Sequence, residues 1–330
     1  MMNGLYDVDI VAEKIASGAL LSLAGSEKAL AKLPAGRWIG GSIPYFMAEA
    51  GGCRDDDKVF ATEIADDANT VEIKRYTSES LREVYNDAPE NGFSLIIIPA
   101  GSKAHSSFAL EASDYPGFTT KPLVGWIAGV AVEDIGSAQP VLYDGTCREA
   151  ISDGAVVMHV GLPAHKYAEI SILNSFAQGG GDVIRFLEDG FSASKAIVNG
   201  ETCSFVDYLN AHKFDARFPL VADYGGAMIN TSFQKVDADS GEVTFYAPVF
   251  RGIDYRVAAA PHLDYVADFD EQIQQIDSAN MLWSCNCILN YLYAGLEGKR
   301  TGSAVGPMTF GEIAYQLVNQ TMVYLSVFEH

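Results

Sequence analysis

Basic residues are scarce in this 330-residue sequence: 22 Lys and Arg stand against 43 Asp and Glu, a formal net charge of -21. A surface this acidic repels phosphate backbones and anionic headgroups, so neither nucleic acid nor a membrane surface is expected as a partner. Cysteine is scarce as well. Cys53, Cys147, Cys203, Cys285 and Cys287 are odd in number and lie in four neighbourhoods. In a chain this long that is no disulfide framework, and reduced thiols in the cytoplasm are the simpler reading. No apolar run approaches the ~18–20 residues of a membrane span. The most apolar stretch, PLVGWIAGVAV, stops at Glu133 and Asp134. The opening MMNGLYDVDI carries Asp7 and Asp9 where a signal peptide needs an apolar segment, so a cytoplasmic location is expected. Also missing are a GxSxG elbow, an HExxH pair and the Lys-Ser/Thr of a P-loop.

What is present is core material: 48% of the residues are hydrophobic, which excludes bulk disorder. Ala12, Ile15 and Ala19 repeat at helical spacing, and Leu30 and Leu33 continue the stripe beyond Gly25, where Ser26 can cap a second helix. RWIGGSIPYF reads as a short apolar strand running into a Gly-Ser loop. TVEIKRY alternates like a half-buried strand. SLIIIPAG, PLVGWIAGVAV and GAVVMHVGL read as buried strands, with a turn at Asp144–Gly145. Over 163–213 the character changes. Ile172, Leu173 and Phe176 carry helical spacing, the Gly179–Gly181 triplet stops that helix, Asp182 can cap the next, and Ser204 with Asp207 forms a capping box. VTFYAPV, MLWSCNCI, the VGPMT segment and QTMVYLSVF read as further strands, and a helix is expected over 268–276.

Each candidate for chemistry has a plain structural alternative. In AGSKAHSSFAL, a Gly-Ser turn leaves a buried strand and enters a helix, and could present N–H groups, Ser102 and His105 to an anion. Capping by serine explains the same residues and is favoured. Cys285-Asn286-Cys287 ends an apolar strand, but no local histidine activates either thiol and no second pair completes a zinc site. Buried structural thiols are favoured. VDADSGEV lacks the calcium-loop glycine and glutamate positions and reads as a polar turn. His159 sits within a strand, where a satisfied core histidine is the default. His165 and His262 read as loop residues. Glu312 follows a Gly-Pro turn and is balanced between a ligand contact and a solvated loop carboxylate.

The C-terminal motifs resemble the FIST domain, a sensory module. MLWSCNC (281–287) is similar to its apolar strand ending in Ser-Cys, VGPMTFGEIAY (305–315) to its Gly-Glu-Ile segment, and VNQTMVYLSV (318–327) to its closing strand. Upstream, IVNGETCSFVDYL, FYAPVFRGIDYRV and LAKLPAGRWIGGSIPYF match weaker elements in order. Ile288 and Leu289 stand where the family often has an arginine, and Met308 and Thr309 replace its usual aromatic. The resemblance implies an α/β fold with an α+β tendency, in two related halves, 1–165 and 166–330. Each half would be a mixed, mostly antiparallel sheet packed with helices. It also implies ligand sensing, with an amino acid or similar small metabolite as ligand, and a signalling partner or homo-oligomer to carry the output. The ligand residues expected from strand-end loops are Gly41, Ser42, Ser102, His105, Trp126, Cys285, Gly311 and Glu312. No cofactor, metal or catalytic residue is expected. The competing reading is a hydrolase or transferase that uses Cys285 or a serine of the 101–107 loop, with His105 as base.

Overall fold

The computed structural model describes residues 1–64, 68–224, 226–259, 265–274 and 279–329, the side chains of 265–268 and 270 excepted. The fold is mixed α/β, with about 46% strand against 16% helix in several mostly antiparallel sheets, so sheet pairing carries most of the backbone hydrogen bonding. The chain packs as two units. The first comprises Met1–Leu173, Phe269–Leu317 and Met322–His330, and the second Asn174–Asp268 and Val318–Thr321. The chain thus leaves the first unit a few residues beyond the expected division near 165, but its C-terminal strands return to that unit.

Among the described residues, the first unit holds three six-stranded sheets. One pairs Leu21–Gly25 parallel to Trp38–Ser42. A second places Leu123–Ala128 between Gly92–Pro99, to which it is parallel, and Glu312–Ala314, to which it is antiparallel. Ala155–Gly161 and Thr70–Tyr76 complete its far side. The third sheet sets Met281–Cys287 between Met322–Glu329 and Gly306–Thr309. The continuous apolar runs are buried along their whole lengths, because both faces of those strands are covered.

Helices follow their local signals. Ser26 accepts from the Ala29 amide and opens Glu27–Leu30. Ser102 does the same from His105 and opens Lys103–Glu111. Ser204 accepts from Asp207 and opens Phe205–Ala211. The expected helix at 268–276 corresponds to Tyr265–Gln274, and its last two positions lie outside the described residues, as does His262. The stretch containing Ile172 and Leu173 is a strand, Lys166–Leu173, paired along its length with Met322–Glu329. Ala168, Ile170 and Ile172 alternate with Tyr167, Glu169 and Ser171, and this period of two prevails over three apolar residues at helical spacing. Gly179–Gly181 therefore ends no helix, and Asp182 precedes the strand Ile184–Phe186 instead of capping one.

His159, on the Ala155–Gly161 strand, is 3% exposed and fully engaged. Tyr76 donates its hydroxyl to Asp87 at 2.8 Å, so the 2.9 Å contact with His159 Nε2 has the imidazole as donor. Nδ1 then accepts from Ser94, 2.7 Å away. Burial pushes this imidazole down to about 4, which keeps it neutral at ordinary pH.

Among the described residues, the second unit is built from a six-stranded and a three-stranded sheet. Its core is rich in aromatic rings: Phe186, Phe205, Phe233, Phe245 and Tyr255 are all buried. Phe186 meets Phe205, Phe245 and Tyr255 edge-on at 5.3–5.7 Å between ring centres, the geometry aromatic pairs prefer. VDADSGEV forms the hairpin turn between Phe233–Asp237 and Glu242–Val249, where the Asp237 carboxylate accepts from the Asp239 and Ser240 amides.

Candidate functional site

The structure gathers part of the expected ligand set in the first unit. Gly41, on Trp38–Ser42, faces Trp126 and Ile97 closely: a Cβ there would lie 2.7 Å from Ile97 and 2.8 Å from the Trp126 ring. Trp126 is paired across the sheet with Glu312, which is 0% exposed. Thr309 Oγ1 lies 3.3 Å from Glu312 Oε1 and 3.1 Å from the Gly311 carbonyl. Cys285 Sγ is 3.6 Å from the Gly125 carbonyl. Gly311 has φ +155°, a backbone state closed to most side chains, and its carbonyl accepts from Ile127.

Among the described residues these side chains pack closely against one another. The volume a ligand would need at Gly41 is taken by the Trp126 ring, and Gly41 and Ser42 lie in a strand, not in a loop. Ser42 is committed twice, donating to Gly129 at 2.8 Å and accepting from Val141 at 2.9 Å. The space beside Cys285, lined also by Ser284, Asn286 and Thr301, measures about 10 Å³, the scale of one water. Glu312 is a strand residue in the interior, so its reading as a solvated loop carboxylate is overturned.

Ser102 and His105 belong to the turn and first helical residues after Pro99. Ser102 Oγ is the helix cap, and His105 Nδ1 accepts from the Gly101 amide at 3.2 Å. Burial pushes the His105 imidazole down to about 4, and the cause is desolvation alone. The Cys285 thiol is pushed well above its ordinary value by burial and then by the Glu312 charge. A thiol so placed stays protonated at neutral pH and offers no nucleophile.

Open space with mixed chemistry lies in the second unit. A groove of about 580 Å³ is lined by the Gly181–Asp182 loop, by Tyr208, Leu209 and the segment from His212 to Asp215, by Phe218, and by Val257 and Ala258. The helix Phe205–Ala211 turns Phe205, Val206 and Leu209 into the core, which leaves Tyr208 and His212, four residues apart, on one outer face. Their rings lie 4.4 Å apart. Asp182 accepts from Asn199 at 2.6 Å and from the Tyr208 hydroxyl at 3.1 Å, and these bonds hold its carboxyl below the usual range. Tyr208 is pushed up to about 12 by burial and by Asp182.

The corner of the groove is a helix stop. Phe214 donates to Leu209 and Lys213 to Asn210, both at 3.1 Å, with Lys213 at φ +51°. This is the Schellman arrangement, and Phe214 packs against the core cluster that includes Leu209. Lys213 occupies the position usually given to glycine. Sequence reasoning used Asp182 and the FVDYLNAH helix only as capping signals. The spacing of Tyr208 and His212, opposite the core stripe, was the available sign of a second functional face.

Among the described residues, no group of three or more His, Cys, Asp and Glu side chains is placed to hold a metal, and no helix is long and apolar enough to cross a membrane. No curated protein matches the chain. A family model does match, over residues 6–328, and its description is that of a family of unknown function, DUF6976. Because that match covers nearly the whole sequence, the chain belongs to the DUF6976 family.

Proposed function

We propose that this protein is a small-molecule-binding sensory protein of the cytoplasm, of the FIST type, and that its ligand site is the groove of the second unit. The ligand class is an amino acid or a similar small metabolite bearing an amine. The observation that carries this reading is the groove itself. Its volume of about 580 Å³ falls within the range of small-molecule sites, and it combines an apolar wall with a few convergent polar groups. Leu209, Phe214, Phe218 and Val257 supply the wall for an apolar body. The Asp182 carboxylate, held ionised by Asn199 and Tyr208, supplies an acceptor for an ammonium group. Output would pass to a signalling partner or through a homo-oligomer.

The test is a thermal-shift screen over amino acids and small amines, run on the wild type and on Asp182→Asn. A ligand that binds the folded state raises the melting temperature in proportion to occupancy. At least one amine should stabilise the wild type and lose most of that effect in Asp182→Asn. A screen in which no compound moves the wild-type transition, or in which both proteins respond alike, removes the groove as the site.

A further inference from the structure

We infer that Gln320 positions the 215–218 wall of this groove and carries the groove's occupancy to the strands on either side of Gln320; the inference rests on the groove being the ligand site. Asp215 and Phe218 both line the groove. The turn that holds them is closed by its own bonds. The Arg217 amide donates to the Asp215 carboxylate and the Phe218 amide to the Asp215 carbonyl, each at 3.0 Å. Among the described residues, the hydrogen bond that reaches this turn from a distant part of the chain is that of Gln320. Its Nε2 donates to the Arg217 carbonyl at 2.8 Å, from 103 residues away. A carbonyl held this way fixes the peptide plane between Arg217 and Phe218, and so the main chain that presents the Phe218 ring.

Gln320 is itself gripped. It is 2% exposed. Its Oε1 accepts from the Ser232 hydroxyl at 2.7 Å, and its main-chain carbonyl accepts from Asn230 Nδ2 at 3.2 Å. Asn230 in turn exchanges two amide bonds with Asn174, at 2.9 and 3.0 Å. A buried amide bonded at both ends moves only with its partners, because each bond left unmade in the interior is costly. A displacement of the Arg217 carbonyl is therefore passed to Gln320 and not absorbed by a loose side chain.

Val318–Thr321 is the C-terminal segment that belongs to the second unit. The chain on one side of Gln320 forms the strand Gln316–Val318, and on the other Met322–Glu329. Two features show that this segment is held against its own preference. Gln320 has φ +54°, a left-handed state that is costly for a residue with a side chain. Asn319 is 0% exposed, and among the described residues its Nδ2 has no hydrogen-bond partner. A shifted backbone relieves the first and gives the second a chance to bond. Such a segment has a second arrangement within reach, and a ligand that favours one of the two shifts the balance. A ligand that moves the Phe218 main chain pulls on the Arg217 carbonyl, and Gln320 hands the pull along the chain to both strands.

The experiment has two arms on the full chain, both read by amide hydrogen exchange. The first uses no ligand and compares the wild type with Gln320→Asn. Asparagine accepts the left-handed backbone but is one methylene too short to keep the bond to Arg217. Exchange over 215–218 should quicken about fivefold, the scale of one lost hydrogen bond, while the strand Ala155–Gly161 keeps its wild-type rate. Unchanged exchange over 215–218 overturns the positioning role. The second arm adds saturating 2-phenylethylamine, which carries an ammonium on an apolar body. In the wild type, exchange over Met322–Glu329 should change about fivefold and Ala155–Gly161 should not respond. In Gln320→Asn the amine should leave Met322–Glu329 as it was. If calorimetry shows the amine bound, yet Met322–Glu329 is silent in the wild type or responds equally in Gln320→Asn, the inference is overturned and the groove reading stands. If the amine does not bind while Gln320→Asn still quickens 215–218, the ligand reading and the transmission fall together and the positioning role stands.

Discussion

Around Glu312 the first unit assembles a carboxylate, an indole, a hydroxyl and a thiol, and among the described residues the space beside them is about that of one water. Around Asp182 the second unit assembles a carboxylate, a phenol and an imidazole beside a groove of about 580 Å³. The chemical inventories are similar, and what separates them is burial. Glu312 and Thr309 are both 0% exposed and are tied to strands paired on either side. Asp182 and His212 sit at loop and helix ends with side chains 35% and 58% exposed. A buried polar group is fixed by the partners it must have, and it specifies packing. A half-exposed one keeps capacity for a partner that arrives later. Polar residues at strand ends are therefore weak evidence for a site until their exposure is known.

The comparison breaks most readily at Trp126. Truncation to Ala removes a ring that touches the Gly41 backbone face and fills the sheet interior. Core truncations of this size cost about 3–5 kcal/mol. Chemical denaturation should show a loss of that order in Trp126→Ala. If stability is retained within about 1 kcal/mol, a hollow beside Glu312 already exists, and the two regions are less different than claimed.

The next largest effect is pH-dependent and falls on His159. Its folded value is near 4, against an ordinary 6.5. Below about 6.5 the unfolded chain takes up a proton that the folded chain refuses, so stability falls as pH drops through the window from 6.5 to 4 and recovers as pH rises. The full difference is on the order of 3 kcal/mol. His159→Gln should be weaker at neutral pH, having lost ring bonds to Tyr76 and Ser94, yet show a flatter profile across that window. Denaturation curves at the two ends of the window decide it, and parallel profiles for the two proteins would rule the imidazole out. His105, pushed down to about 4 by burial alone, supplies a second contribution of the same sign.

Much of the fold is legible in the sequence, and the reasons are local. Ser26, Ser102 and Ser204 each cap the helix they precede, because a hydroxyl three residues before a free amide has a short-range partner. SLIIIPAG and GAVVMHVGL declared themselves by unbroken apolarity. The misreadings arose where period or depth had to be judged without tertiary context. Lys166–Leu173 carries both spacings, and only its pairing with Met322–Glu329 decides for strand. The site was less legible. Sequence order placed Gly41, Trp126, Cys285, Gly311 and Glu312 at strand ends, and the fold does draw them together. Nothing in the sequence states that the Trp126 ring fills the space between them. Tyr208 and His212 are four residues apart, but the Asp182 that completes their grouping lies 26 residues before Tyr208, with four strands between them, and is brought in by its bonds to Asn199 and Tyr208.

The smallest effect separates the two regions by their backbones. Gly311 meets its left-handed requirement with glycine, whereas the groove corner meets it with Lys213 at φ +51°. An L-residue in that conformation costs roughly 1–2 kcal/mol, and glycine gives back about 0.4–1 kcal/mol through the freedom it adds to the unfolded chain. Lys213→Gly should therefore stabilise the protein by about 0.5–1 kcal/mol, measured as a rise in urea midpoint at constant slope. The Schellman bonds from Phe214 to Leu209 and from Lys213 to Asn210 are main-chain bonds that glycine can keep. A fall in the midpoint would mean that the lysine stem packs on the groove wall strongly enough to outweigh its backbone strain. The groove would then be partly filled by its own side chain, and less open than the contrast with Glu312 requires.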